Sequence, residues 1–269
     1  MIRRLMLTTS ALIGMAGTAM AADVLVEPAA PAPYVSSVYD WSGLYIGING
    51  GYAWGNVDTS TTIPAGSNIN GVASALAIAS GTGGFDSNGG LAGVQVGYNY
   101  QTGPYVVGVE ADVDWSGLDD TRDSGIFTLG GFNARTTDDL DMNVLATVRG
   151  RLGYAMDRLL VYGTGGLAWS DATVRRNLDW SFADGCPPVG GGLQRCHVGE
   201  EDFDIGYTVG AGLEYAFTEN FTAKVEYQYI DFGDEPFRTV NANIPNQPLD
   251  HEVSLDIHTI RVGLNYKFN

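Results

Sequence analysis

Basic residues are scarce in this chain. Lysine and arginine number 14 against 31 aspartates and glutamates in 269 residues, giving a formal charge of −17. Nucleic acid is therefore excluded as a partner, because phosphate binding needs clustered cations. Long apolar runs are missing as well. Hydrophobic residues make up an ordinary 45%, and no bundle of transmembrane helices fits them. Only two cysteines and three histidines occur. With no second cysteine pair, a zinc site is poorly supplied, and no Gly-x-Ser-x-Gly nucleophile motif appears. What is abundant is glycine, 37 residues, set inside alternating apolar and polar segments.

The clearest segment spans 204–232. Ile205, Tyr207, Val209, Ala211, Leu213, Tyr215 and Phe217 fall on every second position, with Gly206, Thr208, Gly210, Gly212, Glu214 and Ala216 between them. A three-residue turn, Thr218-Glu219-Asn220, leads into Phe221, Ala223, Val225, Tyr227 and Tyr229, which alternate with Thr222, Lys224, Glu226 and Gln228. Strand side chains alternate between faces, so one face is wholly apolar and the other small or charged. Charge among glycines suits a tight interior, which puts lipid outside.

The same pattern predicts further strands at 41–54, 90–100, 105–115, 141–154, 159–172 and 254–268, eight in all. In the fourth strand, 141–154, Met142 is expected to face outward with Val144, Ala146 and Val148. Connections alternate in length: 101–104, 155–158 and 218–220 are short, whereas 55–88, 116–140, 173–203 and 233–253 are long. Short periplasmic turns and long extracellular loops are the asymmetry of an outer-membrane barrel. The expected fold is all-β, an eight-stranded antiparallel transmembrane up-and-down β-barrel. Trp41, Trp54, Tyr100, Tyr105, Trp115, Tyr154, Trp169, Phe217, Phe221 and Phe268 sit at strand ends, as interfacial girdles require.

Residues 1–21 have the form of a secretory signal peptide: Arg3-Arg4, an apolar run, then Ala19-Met20-Ala21. Residues 22–40 form a Pro/Ala-rich linker, expected to be extended on the periplasmic side, and 41–269 form the barrel domain. Export to an oxidising compartment predicts a disulfide between Cys186 and Cys196. The stretch 73–84, rich in Ala, Ser and Gly, reads as a flexible loop, and His197 and His251 also fall in loops. The long connections hold 16 acids against six arginines and predict a solvated acidic surface. His258 shares outward parity with Ile260, and Ser254 lies beyond it on the same face. A lipid-acting hydrolase could use that pair, but an interfacial histidine without a catalytic role is the simpler expectation.

Inward positions carry Glu110, Asp112, Arg149, Arg151, Glu214, Lys224, Glu226, Arg261 and Lys267. Counting from the turn places Glu214 directly opposite Lys224 and predicts that they pair. Glu110, Arg149 and Glu226 fall at similar heights and are expected to share a layer. Eight strands enclose just enough room for side chains, so a salt-bridged plug is expected rather than an ion pathway. No catalytic residue, metal site or cofactor is expected.

Several segments resemble the small alphaproteobacterial outer-membrane proteins, including the rhizobial RopB type and the hemin-binding proteins of Bartonella. The segments are Trp41-Ser42-Gly43-Leu44-Tyr45-Ile46-Gly47 with Gly50-Gly51-Tyr52, Gly97-Tyr98-Asn99-Tyr100-Gln101, Val148-Arg149-Gly150-Arg151-Leu152-Gly153-Tyr154, and the ending from His258 to Phe268. The resemblance covers the barrel and not the connections. It implies an OmpA-like barrel without a peptidoglycan-binding domain, resident in the outer membrane of a Gram-negative bacterium. Its partners would be outer-membrane lipid and lipopolysaccharide, the barrel-assembly machinery through the C-terminal strand, and a host or other extracellular ligand. The family usually ends in an aromatic residue; here Asn269 follows Phe268. The function so implied is structural support of the envelope and surface interaction, with a heme or other ligand receptor and a narrow porin as alternatives.

Overall fold

The computed structural model describes residues 39–268; the expected signal peptide, most of the linker and Asn269 lie outside the described residues. Eight long strands close into one antiparallel ring: β1 (Gly43–Thr62), β2 (Gly83–Thr102), β3 (Tyr105–Asp123), β5 (Phe132–Met156), β6 (Leu159–Trp180), β8 (Leu193–Ala216), β9 (Phe221–Val240) and β10 (Pro248–Lys267). β1 pairs with β10 and β3 with β5, so no ring strand has an open edge. Two short strands, β4 (Phe127–Leu129) and β7 (Pro188–Gly190), fold back on β5 and β8 at the far end. All three short connections are the expected tight turns.

The long connections are not loops. Strands run on into them, so that β5 has 25 residues and β8 has 24. The ring strands have 19 to 25 residues, so the barrel stands well taller than the expected membrane half. The reason lies in side-chain parity. In the half nearer the tight turns, apolar side chains point out: Ile48, Val109, Leu152 and Val262 are all exposed. In the far half they point in. Val57, Leu118, Leu140, Met142, Val174, Phe203, Phe232, Val253, Leu255 and Ile257 form one buried cluster. Met142 thus faces the interior, contrary to expectation, because an irregularity between Asp141 and Leu145 shifts the parity of β5.

The far mouth is closed by a helix. Residues 73–84, expected to be flexible, contain most of α1 (Gly71–Gly81) and the start of β2. Asn70 caps the helix, its side chain accepting from the backbone N–H groups of Val72 and Ala73. Ala73, Leu76 and Ala77, spaced for one helical face, pack against Leu178, Trp180, Leu249 and the Cys186–Cys196 disulfide. His197 and His251 are buried strand residues, not loop residues. The acidic connections are not wholly solvated either. Asp138 and Asp179 are buried, Asp138 paired with Arg122 and Arg176, and Asp179 with Arg135 and Arg195.

The tight-turn mouth is also plugged. Trp41, expected in a girdle, is buried with Tyr39 against Val106, Leu160 and Ala216. Its indole Nε1–H donates to the Asp157 carbonyl at 3.0 Å, which satisfies the one polar atom the ring carries inward. The other expected girdle residues point outward, those near the tight turns at strand ends, but Trp54, Trp115 and Trp169 midway along the lengthened strands.

Removing the disulfide isolates its contribution to the cap. Replacing Cys186 and Cys196 by serine should loosen the β7–β8 hairpin by about 2–3 kcal/mol in the chain-entropy model. The loss should appear as faster protease nicking near residue 190, with unchanged heat-dependent gel mobility of the barrel.

Candidate functional site

The lumen of the membrane half is the site where charge is concentrated. Strand alternation sends Glu110, Asp112 and Asp114 inward from β3, Arg149 and Arg151 from β5, Glu214 from β8, Lys224 and Glu226 from β9, and Arg261 from β10. All nine are buried. Burying ions is costly unless each finds a partner of opposite charge, and here each does.

Arg149 is the hub. Its Nη2 donates to Glu110 at 2.6 Å and to Asp112 at 2.7 Å, and its Nη1 donates to Glu226 at 2.6 Å. Its Nε donates to Thr147, whose hydroxyl donates to Asp112 at 2.7 Å. Glu110, Arg149 and Glu226 therefore share a layer. Arg261 reaches Asp112 at 2.9 Å and Glu226 at 3.1 Å, and also pairs with Asp114. Two tyrosines complete the shell: Tyr45 donates to Glu110 at 2.6 Å and Tyr162 to Glu226 at 2.9 Å.

Glu214 and Lys224 are direct cross-strand neighbours, as counted from the turn. They do not pair with each other. Glu214 pairs with Arg151 and accepts from Asn265 at 2.8 Å, while Lys224 donates to Glu110 at 2.8 Å. The narrow barrel explains the exchange. Inward side chains converge on the axis, so an atom on the facing wall is as close as one on the next strand. β9 and β3 stand four strands apart in the ring of eight, so the Lys224–Glu110 bond spans the full diameter. Arg149 on β5 meets Glu226 on β9 across three. These bonds cross the axis and obstruct it.

Lys267 differs from the other expected interior charges. It lies at the mouth, paired with the Asp40 carbonyl and set 4.5 Å over the Tyr39 ring. Asp40 and Tyr39, assigned from sequence to the linker, are thus part of the mouth. Asp114, Tyr45 and Tyr162 were missed by the sequence reading. Their parity was the available signal: Asp114 follows Asp112 by two, and Tyr45 lies between outward Leu44 and Ile46. His258 points outward. It stacks on Trp54, its Nδ1 lies 2.7 Å from the Tyr227 hydroxyl, and Asp256 flanks its Nε2. Ser254 lies four residues beyond, on the same face.

The hub position has a measurable consequence. Arg149→Met would leave Glu110, Asp112 and Glu226 short of a buried cation. The barrel should lose about 3–5 kcal/mol, as buried pairs do when one partner is removed. Heat-dependent gel mobility reads this as a lowered transition temperature; a shift no larger than that of Lys267→Met at the mouth would contradict the hub.

Comparison with known proteins agrees with this architecture. Residues 9–268 match the outer membrane protein beta-barrel domain. The 31 kDa outer-membrane immunogenic protein of Brucella melitensis is 38% identical over 256 residues, covering 94% of this chain and 95% of that protein. The 25 kDa outer-membrane immunogenic protein of Brucella abortus is 29% identical over 269 residues, 99% of each chain. A 22 kDa outer membrane protein of Rhizobium leguminosarum is 31% identical over 175 residues, 65% of this chain and 64% of that one. With its exposed apolar belt, closed ring of eight strands and these relatives, the chain belongs to the outer-membrane β-barrel family and resides in the outer membrane of a Gram-negative bacterium.

Proposed function

We propose that this protein is a closed barrel that supports the envelope and carries a rigid surface platform, rather than a channel. The observation that carries the reading is the set of ion pairs crossing the lumen, above all Lys224–Glu110 from opposite walls and the three carboxylates gathered on Arg149. An ion entering would have to displace bonds whose loss strands a buried charge. The plugged mouth at Tyr39 and Trp41 and the helix over the other mouth close the same path twice more.

The far half gives the surface role its form. Its outward face is polar and mostly acidic, with Asp119, Asp139 and Asp141 beside one another on β3 and β5. An apolar core stiffens it from within. Such a surface suits interaction through charge and shape, and repels anionic neighbours unless cations intervene. The relatives named immunogenic suggest that the platform is exposed outside the cell. Outer-leaflet lipid and lipopolysaccharide would surround the belt, and the assembly machinery would engage β10 before it closes on β1.

Planar bilayers test the closed lumen. The wild type should show no sustained conductance. Glu214→Ala should lower the thermal transition of the barrel, because Arg151 loses its partner, and still leave conductance near zero. Sustained large channels in the wild type would overturn this reading and favour a porin.

A further inference from the structure

The far half contains a buried polar cluster that the closed-lumen reading does not use. Arg176 on β6 grips Asp138 with two bonds, Nε to Oδ1 at 2.6 Å and Nη2 to Oδ2 at 3.1 Å. Arg122 on β3 adds a second cation to the same carboxylate at 2.9 Å. The remaining Arg176 nitrogen, Nη1, donates to the carbonyl of Gly81 at 3.0 Å, and Gly81 is the last residue of α1. Thr61 donates to that carbonyl too, at 3.0 Å. A side chain at position 81 would meet the Thr61 hydroxyl at 2.3 Å, so glycine is required for this approach. One residue earlier in α1, Ser80 meets the Thr136 hydroxyl at 3.0 Å. The C-terminus of the helix is therefore held down by Arg176, Thr61 and Thr136.

Two histidines sit against this clasp. His251 Nδ1 lies 3.2 Å from Arg176 Nη1 and 3.0 Å from Thr61 Oγ1, and its Nε2 lies 2.9 Å from Thr239 Oγ1. Thr239 Oγ1 in turn lies 3.3 Å from His197 Nδ1. Arginine can only donate. His251 Nδ1 must then accept, its Nε2–H donates to Thr239, and the Thr239 hydroxyl donates to His197 Nδ1. The Nε2–H of His197 is left without a hydrogen-bond partner, and the imidazole meets the Trp180 ring edge to face with centroids 4.8 Å apart. Each proton is placed by the one before it, starting from Arg176, and both imidazoles are neutral.

We propose that this cluster is an acid-opened latch, in which protonation of His251 and His197 releases α1 from the barrel mouth. A proton on His251 Nδ1 would set one N–H against an Arg176 N–H and put a second cation beside the guanidinium. A proton on His197 Nδ1 would oppose the Thr239 hydroxyl. The surroundings offer no free carboxylate to pair with the added charge. Facing His251 are Thr61 from β1, Arg176 from β6, His197 from β8, and Phe237 and Thr239 from β9. The buried carboxylates of the far half are already engaged, Asp138 by Arg176 and Arg122 and Asp179 by Arg135 and Arg195. Asp250, next to His251 on β10, faces the other way and holds Arg238 at 2.5 Å.

Burial, then Arg176, holds the His251 imidazole down at about 3, and burial alone holds His197 at about 4, from an ordinary 6.5. Both lie more than seven residues beyond the apolar belt, in the far half. The sign follows from linkage. A depressed histidine favours the closed, deprotonated state above the ordinary value. That advantage shrinks as pH falls below about 6.5 toward the depressed values, because the open state takes up protons first. Between pH 7.5 and 5 the closed-to-open ratio should fall on the order of 30-fold for each histidine.

Hydrogen exchange of the α1 amides, read by mass spectrometry on the protein in lipid vesicles and corrected for intrinsic pH dependence, measures that ratio. In the wild type, opening of α1 should increase steeply and reversibly from pH 7.5 to 5, while the amides of the membrane half stay protected. His251→Gln with His197→Gln should remove the pH dependence, and either single change should remove about one histidine's share. The single variants carry the test if the double variant does not fold. A wild-type α1 whose exchange ignores pH, or variants that keep the full pH dependence, would overturn the latch.

Discussion

A lumen only as wide as its own side chains governs this molecule. Eight strands leave no water channel in which a charge could remain solvated. Every inward charge must therefore find its partner inside, and the nearest partner is often on the opposite wall. Lys224 passes over its direct neighbour Glu214 to reach Glu110, and Arg149 collects carboxylates from β3 and β9. Those crossed bonds tie facing walls together through the axis, which a ladder of adjacent-strand pairs could not do.

The same constraint holds in the far half, with its sign reversed. Water replaces lipid outside, so the outward face becomes polar and the inward face apolar. Each long strand thus passes through two environments, and the alternation changes meaning partway along. Where the fit between halves slips, irregularities adjust it: between Asp141 and Leu145 in β5, and at Gly233 in β9, which takes a left-handed φ of 79°. Polar residues that remain inside the far half, Asp138, Arg176, His251 and His197, are held as a hydrogen-bonded island in that apolar interior, which is why they are sensitive to an added proton.

The membrane half was legible in the sequence because lipid makes its pattern unambiguous. The run Ile205-Tyr207-Val209 against Gly206-Thr208-Gly210 admits one sidedness, and the short turn fixed the register to Lys224. Interior partners were not legible in the same way. Register is a property of neighbouring strands, whereas partner choice depends on what the barrel brings together across its axis. The far half is obscured by its acids, since Asp119, Asp139 and Glu200 stand on the outward face of strands and give them the composition of loops. Helix α1 was hidden by composition: Ala, Ser and Gly suggest a linker, and only Asn70 as a cap with Ala73, Leu76 and Ala77 on one face marks the helix. That face forms a stable helix only because an apolar mouth lies beneath it.

Buried ion pairs rarely add stability over a well-packed apolar core, so their presence in the membrane half calls for another reason. Register supplies one. A strand apolar on both faces could slip by one residue in lipid with little penalty, and every side chain would change sides. With Glu110, Arg149, Glu214 and Arg261 on the inward face, a slip of one carries unpaired ions into hydrocarbon. The penalty for the wrong register is then far larger than any gain lost in the right one. The charges that close the lumen are, on this argument, also what makes the eight strands assemble in a single alignment, and the far half can invert its polarity safely because the half below it has already fixed the count.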